Sequence, residues 1–464
     1  MKKPIFLDKN LFTVDSSAGK IAFFSLLWPM LFESVSSNFL ATVNTAVISG
    51  YSEAAAAAVG ACGPIVSALM LITNVLSVGA TVVISNYIGA KNLKKAKEAC
   101  FTGLTVCALL LLLLTPVMII AAPAIMEAQN LRGEILANAI TYLSVRILFI
   151  TVSAANSFLL AVLRCYGYTK YTFYSGILQN AVNLFLNLLF VNLSELTSLQ
   201  VVAGAAFSCC AGSLAALAMA VIAFKKKHIG MSRPKTLNDA VRHTCAILKI
   251  GLPSAISSAS FTVSQIVTTS FVALIGDYAL SAKVYYTSIL QYAYLFSYSA
   301  GCANALMVGV RYGAGEIREC DKMNKQLVRL TALVNLSISL LIVAAHRPLV
   351  GIFSDNAQII SLAVGIFLVD VITEQGRAVS HVYEYALRSV GDVWYSLVAL
   401  TLSCWMFSIG LSYLLVVELN MGLLGCWIGL AADEAFRGVF TYIRWNRKHT
   451  KLTNIDIKTI ANEV

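Results

Sequence analysis

Two hundred and twenty-four residues separate three pairs of matching segments in this chain, which fixes it as one unit written twice. Pro29 answers Pro253, the pair Gly89 and Ala90 answers Gly313 and Ala314, and Leu163, Arg164 and Gly167 answer Leu387, Arg388 and Gly391. Matches at a single ungapped offset require two similarly folded halves. In a very apolar chain such a duplication marks a transporter, with its site expected where the two copies meet.

Composition then decides the solvent. Hydrophobic residues make up 58% of the 464 and charged residues only 12%, with a mean hydropathy of +0.77, too little polar surface to wrap a soluble core of this size. Twelve apolar runs between residues 21 and 444 are long enough to cross a hydrocarbon layer of about 30 Å, six in each copy. An even number of spans returns the chain to its starting side, so the copies lie parallel. The expected fold is an all-α polytopic membrane protein of twelve transmembrane helices, in two parallel six-helix lobes related by a pseudo-two-fold axis along the membrane normal. Residues 1–224 form the first lobe, 225–246 a cytoplasmic linker, 247–450 the second lobe and 451–464 a tail.

Charge sets the orientation. Lys2, Lys3, Lys9 and Lys20 precede the first span, Lys91, Lys94, Lys95 and Lys97 follow the second, and Arg311, Arg318, Lys322 and Lys325 follow the eighth. The central link and the C-terminal end are basic too, whereas the alternate loops hold little beyond Arg132 and Arg347. Both termini are therefore expected in the cytoplasm, the protein being an integral multi-pass component of the cell membrane. The net charge of +11 is spread over loops on one face, leaving no basic domain for nucleic acid. The first apolar run is too long for a cleaved signal peptide. The eleven cysteines are scattered, without a Cys-x-x-Cys pair, and read as small packing residues rather than disulfides or metal ligands. The expected partners are a small-molecule substrate and membrane lipids, with the protein a monomer. No cofactor is expected beyond a transported Na+ or H+.

The segments at 28–33 (Trp-Pro-Met-Leu-Phe-Glu), 43–52 (Val-Asn-Thr-Ala-Val-Ile-Ser-Gly-Tyr-Ser) and 57–60 (Ala-Ala-Val-Gly) resemble the opening of a multidrug and toxic compound extrusion (MATE) transporter. Leu163, Arg164, Gly167, Thr169 and Lys170, then Asn183 and Asn187, resemble that family's fourth-span exit and fifth span. Glu374, Gly376, Arg377 and Ala378, with Leu387, Arg388, Gly391 and Asp392, resemble the tenth span of its prokaryotic branch. The likeness runs along nearly the whole chain. It implies two six-helix lobes that open alternately to either side, exporting amphipathic, often cationic compounds against inward flow of protons or sodium.

One departure stands out: where many members carry a first-span aspartate that handles the coupling cation, this chain has Asn44. An amide neither exchanges a proton at useful pH nor brings charge to a sodium site. Asn183 and Asn187 share a helix face at i, i+4, with Asn180 on nearly the same side. Their amides either ligate sodium through oxygen or hold helices together. Glu33, one turn beyond Pro29, is a carboxylate with a cavity or coupling role, or else a helix-end group in water. Pro29 and Pro253 free a carbonyl at equivalent places, as hinges or static kinks.

The densest polar feature lies in the tenth span. Asp370, Glu374, Arg377, His381, Glu384 and Arg388 recur at steps of three and four, winding one stripe along a helix. Each ionised group at mid-bilayer costs about 2.5–3.5 kcal/mol, so the stripe must face protein or water. It reads either as a static ion-pair ladder, or as a proton relay through Glu374, His381 and Glu384 with Arg377 holding a neighbouring carboxylate ionised. Gln265 in the seventh span, with Lys283 and Tyr286 in the eighth, are candidate cavity-lining groups. Aromatic rings suit organic cations, while an inward Lys283 favours anionic or zwitterionic compounds. Asp433, Glu434 and Arg437 in the last span have the spacing of a local structural salt bridge near its cytoplasmic end.

Three function classes follow. A proton- or sodium-coupled exporter of small amphipathic molecules fits best. A lipid-linked saccharide flippase of the related superfamily is the alternative, requiring a strongly cationic central cavity. A membrane enzyme fits least, because no His-Glu-x-x-His, nucleotide loop or serine elbow is present.

Overall fold

The computed structural model describes residues 10–16, 19–51, 53–129, 131–192 and 197–452. The first span is α1 (Phe23–Tyr51), followed by α2 (Glu53–Gly89) and α3 (Leu93–Ala128). The fourth is broken at Phe149 into α4 (Gly133–Leu148) and α5 (Ile150–Cys165), which bend by 48°. Next come α6 (Thr169–Asn192) and α7 (Ser198–Lys226), completing the first lobe.

The second lobe comprises α8 (Leu237–Ala273), α9 (Asp277–Gly313), α10 (Ile317–Ala344), the short α11 (His346–Gly351) and α12 (Ala357–Ser389). Its eleventh span begins as α13 (Val393–Ser403) and continues through π-helical turns at Cys404–Leu411 and Leu414–Glu418. The last is α14 (Leu423–Leu452). Among the described residues nine helices are long and apolar enough to cross on composition, and the bent α4–α5 pair makes a tenth. With α1 and the more charged α14, the spans number twelve. Part of the expected link is helical, since α7 ends at Lys226 and α8 begins at Leu237.

The duplication reaches down to helix ends. α2 and α9 both start and stop 224 residues apart, as do the starts of α3 and α10 and the ends of α5 and α12. The turns repeat as well: Gly167 and Gly391 take φ of 80° and 79°, a left-handed conformation that closes each helix and that a Cβ would strain. The lobe interface repeats in the same way. A Cβ on Gly89 would strike the Val310 carbonyl, and one on Gly313 the carbonyl of Asn86, which is the Val310 position of the first copy. One contact seen twice means parallel lobes about a common axis.

The side where α1 begins and α14 ends is called here the terminal side. In its half of the membrane the lobes meet backbone to backbone, Gly79 of α2 against Ile247 of α8 and Gly251 of α8 against Val75 of α2. Only residues without a Cβ permit so close an approach.

A hairpin that the apolar pattern did not reveal sits on this side. β1 (Thr13–Ser16) and β2 (Gly19–Ala22) pair antiparallel with Val14 opposite Ile21, burying Phe12, Val14 and Ile21. Arg311, buried at the end of α9, donates to the carbonyls of Asn10 and Leu11 at 3.2 Å and of Thr13 at 2.9 Å. Ile21 meanwhile packs under Gly167 of the first lobe. The hairpin thus touches both lobes.

Candidate functional site

A cavity of about 300 Å³ opens within the second lobe, among α8, α9, α12, the first π-helical turn and α14. Its lining residue Gln291 reaches Asn38 of the first lobe, so the cavity borders the seam between the copies. The charged residues belong to helices of one lobe, while the terminal half of the seam is filled by backbone contacts. Gln265, Lys283, Asp370 and Arg377 all line the cavity. Tyr286 does not: its hydroxyl donates to the Ile359 carbonyl and its ring packs on Phe367 and Trp427, fully buried.

A close helix crossing assembles the charges. At Gly376 the α12 backbone nears α14 so tightly that a Cβ would lie 2.9 Å from the Ala435 nitrogen, and Gly438 faces the Gly376 carbonyl from the other side. Small residues at a crossing let polar neighbours meet across it. Arg377 therefore bonds Glu374 on its own helix and, at 3.4 Å, Glu434 on α14, while Glu434 also takes Arg437 and the Ser380 hydroxyl at 3.0 Å. Glu374 and Glu434 are 0% and 2% exposed.

Glu434 and Arg437 form the expected local bridge beside Asp433, but not near a helix end. They sit midway along α14 and belong to the tenth-span cluster; helical spacing reveals the Glu434–Arg437 pair but not the partner across the crossing. Asp433 accepts from Ser408 at 3.1 Å and from the Cys404 thiol at 3.7 Å, both on the π-helical turn, a distortion that commonly accompanies functional sites. Asn335 of α10, which nothing in the stripe signalled, donates to Ser297 at 2.6 Å and to the Glu374 carboxylate at 3.0 Å. Glu384 pairs with Arg388.

His381 takes a different environment from the carboxylates around it. Its ring lies edge-on to Tyr294 at 5.5 Å and stacks near Tyr385 at 6.0 Å, and its Nδ1 has no hydrogen-bond partner among the described residues. Tyr294 also carries the Arg377 guanidinium 5.2 Å from its ring centre. Lys283 points into the cavity and donates to the Thr269 hydroxyl at 2.7 Å.

The first lobe holds a smaller constellation. Glu33 pairs with Arg164 at 2.7 Å, receives the Thr172 hydroxyl at 3.4 Å, and lies 3.4 Å from where a Gly176 Cβ would stand. Sequence spacing offered no hint of this Arg164 partner, 131 positions away. Asn187 donates to Asn183 at 3.1 Å and Asn183 to the Cys209 sulfur at 2.9 Å, while Asn180 is half-buried on the same helix. The Asn44 side chain lies outside the described residues. Pro29 and Pro253 sit inside continuous α1 and α8. Near mid-span, among the described residues, Gln291 of α9 bridges the lobes by donating to Asn38 of α1 at 2.7 Å.

The sequence profile of the MatE family matches residues 29–189 and 253–414, one segment in each copy. The chain belongs to the MatE family. It is 29% identical to the uncharacterized transporter YisQ of Bacillus subtilis, over 97% of this chain and 98% of that one. The probable multidrug resistance protein NorM of Thermotoga maritima is 23% identical over 94% of this chain and 95% of its own length. Among solved structures, an outward-facing MATE-family multidrug resistance transporter of the MOP superfamily superposes with a TM-score of 0.87 at 18% identity, covering 96% of this chain and 99% of that one. A MOP superfamily transporter from Pyrococcus furiosus, described as having a binding pocket of reversed polarity, gives 0.83 at 19% identity over 93% and 96%. This MatE protein is thus a multi-pass membrane protein with the twelve-helix, two-lobe fold of its relatives.

Proposed function

We propose that this MatE protein is a secondary active antiporter, exporting amphipathic, often cationic small molecules by alternating access, with inward flow of protons or sodium as the driving force. The observation that carries this reading is a charge imbalance inside the membrane. Five carboxylates, Asp370, Glu374, Glu384, Asp433 and Glu434, are buried, against four cationic groups, the buried Arg377 and Arg437, the half-buried Arg388 and the Lys283 ammonium in the cavity. Uncompensated buried carboxylates are costly, so the surplus draws in a cation, either the coupling ion or a charged substrate. Glu374, His381 and Glu384 are the groups assigned to proton handling, with Arg377 keeping Glu434 ionised.

The first lobe contributes a neutralised Glu33–Arg164 pair and an amide pair at Asn183 and Asn187, which fits a lobe whose usual cation site lost its charge at Asn44. The saccharide flippase alternative fits less well, because a 300 Å³ cavity within one lobe is at the small end for any ligand pocket. Both termini are assigned to the cytoplasm from the loop charges.

Purified protein in liposomes, given a substrate and separately imposed proton and sodium gradients, tests the proposal. Gradient-dependent uptake that Glu374→Gln or His381→Gln uncouples is the expected result. Transport indifferent to both gradients refutes antiport, and unchanged pH dependence in both variants refutes the assignment of the proton route.

A further inference from the structure

The duplication sets opposite charges at one position of the two lobes. Asp370 of α12 answers Arg146 of α4 at the offset of 224, counted back from helix ends that match at the same offset. Arg146 is half-buried, its Nε is enclosed without a partner, and among the described residues no ion pair reaches its guanidinium. The titratable groups beside it are Tyr142 on its own helix and Cys209 and Cys210 on α7, and none is a carboxylate. The described residues of the first lobe have no acid to spare. Glu33 is held by Arg164 and Glu98 by Lys94 and His243, while Asp15, Glu127 and Glu134 are exposed in the hairpin and at helix ends.

Arg146 stands thirteen residues beyond the start of α4 at Gly133, about 20 Å along the span at 1.5 Å per residue. That depth is close to the middle of a hydrocarbon layer about 30 Å thick, where an uncompensated charge is costly. The surroundings offer donors rather than acceptors. Asn187 donates to Asn183 and Asn183 to the Cys209 sulfur, so the amide chain of α6 ends on a thiol, a weak acceptor, beside the guanidinium. Donors that converge on a positive charge, with no acid among them, are the makings of an anion site.

We infer that the first lobe binds one small, weakly hydrated monovalent anion, a halide or nitrate, against Arg146, as the counter-charge that its own residues do not supply. One guanidinium balances one negative charge, so sulfate or phosphate would leave a surplus in a low-dielectric site. Weakly hydrated anions lose least on leaving water, and they meet a guanidinium that is itself weakly hydrated. Lipid phosphates lie at the membrane faces, about 15 Å from the midplane near which Arg146 stands. The duplicated position thus attracts an anion in one lobe and a cation in the other. Binding of this anion is independent of which gradient drives transport.

Thermal melting of the purified protein in phosphatidylcholine nanodiscs tests it, with sodium gluconate replaced stepwise by sodium bromide at constant pH and ionic strength. Bromide is expected to raise the melting temperature saturably, by on the order of a few °C, and sulfate to give no such rise. Arg146→Met is expected to abolish the rise, and in gluconate alone to melt no lower than the unaltered protein, because it removes a charge that lacks a partner. Arg146→Lys, which keeps the charge, is expected to keep the rise. Crystals soaked in bromide should show an anomalous-scattering peak beside Arg146. The proposal fails if bromide has no saturable effect on the unaltered protein, if Arg146→Met keeps that effect, or if Arg146→Met melts well below the unaltered protein in gluconate, since the protein would then already satisfy the guanidinium. It fails equally if stabilisation comes from added phosphatidylglycerol and not from bromide, which would make a lipid the counter-charge.

Discussion

Replacing Gly251 by alanine tests whether the seam on the terminal side is a seal specific to one state of the transporter. The new Cβ would lie inside the contact radius of the Val75 carbonyl oxygen and 2.7 Å from its carbon. Carbon atoms pack best at 3.5–4.0 Å, so α8 must retreat from α2 by about 1 Å. Backbone, unlike a flexible side-chain tip, cannot step aside. Overpacking of this kind costs about 1–3 kcal/mol, and it burdens only the arrangement in which α2 and α8 touch. If the lobes part on this side during transport, the ratio of sealed to parted molecules falls about 5- to 150-fold.

Spin labels at residues 94 and 318, equivalent exposed positions at the starts of α3 and α10, report the separation in a cysteine-free background. The unaltered protein is expected to give mainly a short distance and Gly251→Ala a growing long one. Gly60→Ala and Gly63→Ala, where a Cβ meets nothing within 4 Å, serve as controls without effect. A distance distribution and melting temperature both unchanged in Gly251→Ala would refute the reasoning.

Further outcomes follow from single contacts. Arg311→Met removes the charged donor to three carbonyls of the N-terminal segment; charged hydrogen bonds contribute about 1.5–3 kcal/mol, so limited proteolysis should cut near residues 10–22 faster while the bundle stays folded. Glu434→Gln leaves Arg377 and Arg437 short of a shared buried counter-charge and should cost about 3–5 kcal/mol, seen as a large drop in thermal stability. Glu33→Gln, at a pair whose two side chains are only partly buried, should lower it less. Gly376→Ala pushes α12 off α14 and should mimic a weaker Glu434→Gln, its cost being about 1–3 kcal/mol; equal stability to the unaltered protein would show that the crossing does not assemble the cluster.

Much of this was legible without coordinates. The offset of 224 holds for the helix ends and turn glycines as it does for the motifs, because each copy must satisfy its own backbone in the same bilayer. The inward stripe of α12 was equally readable: Asp370, Glu374, Arg377, His381 and Glu384 are all buried, as a membrane demands of polar groups on one helix face. Less legible were Glu434, Asn335 and Arg164 as partners of Arg377, Glu374 and Glu33, and the withdrawal of Tyr286 from the cavity. Helical periodicity names neighbours three or four positions away and says nothing about a second helix.

The linear order of residues thus determined a duplicated twelve-span bundle with its polar stripe turned inward, since hydrophobicity, charge and helical period are local properties that the solvent alone enforces. Tertiary structure decided which lobe carries the cavity, which carboxylates share an arginine, and that an N-terminal hairpin rests on both lobes. Those outcomes depend on where glycines such as Gly376, Gly79 and Gly251 let two backbones touch, and a crossing point is a property of two helices rather than of either sequence.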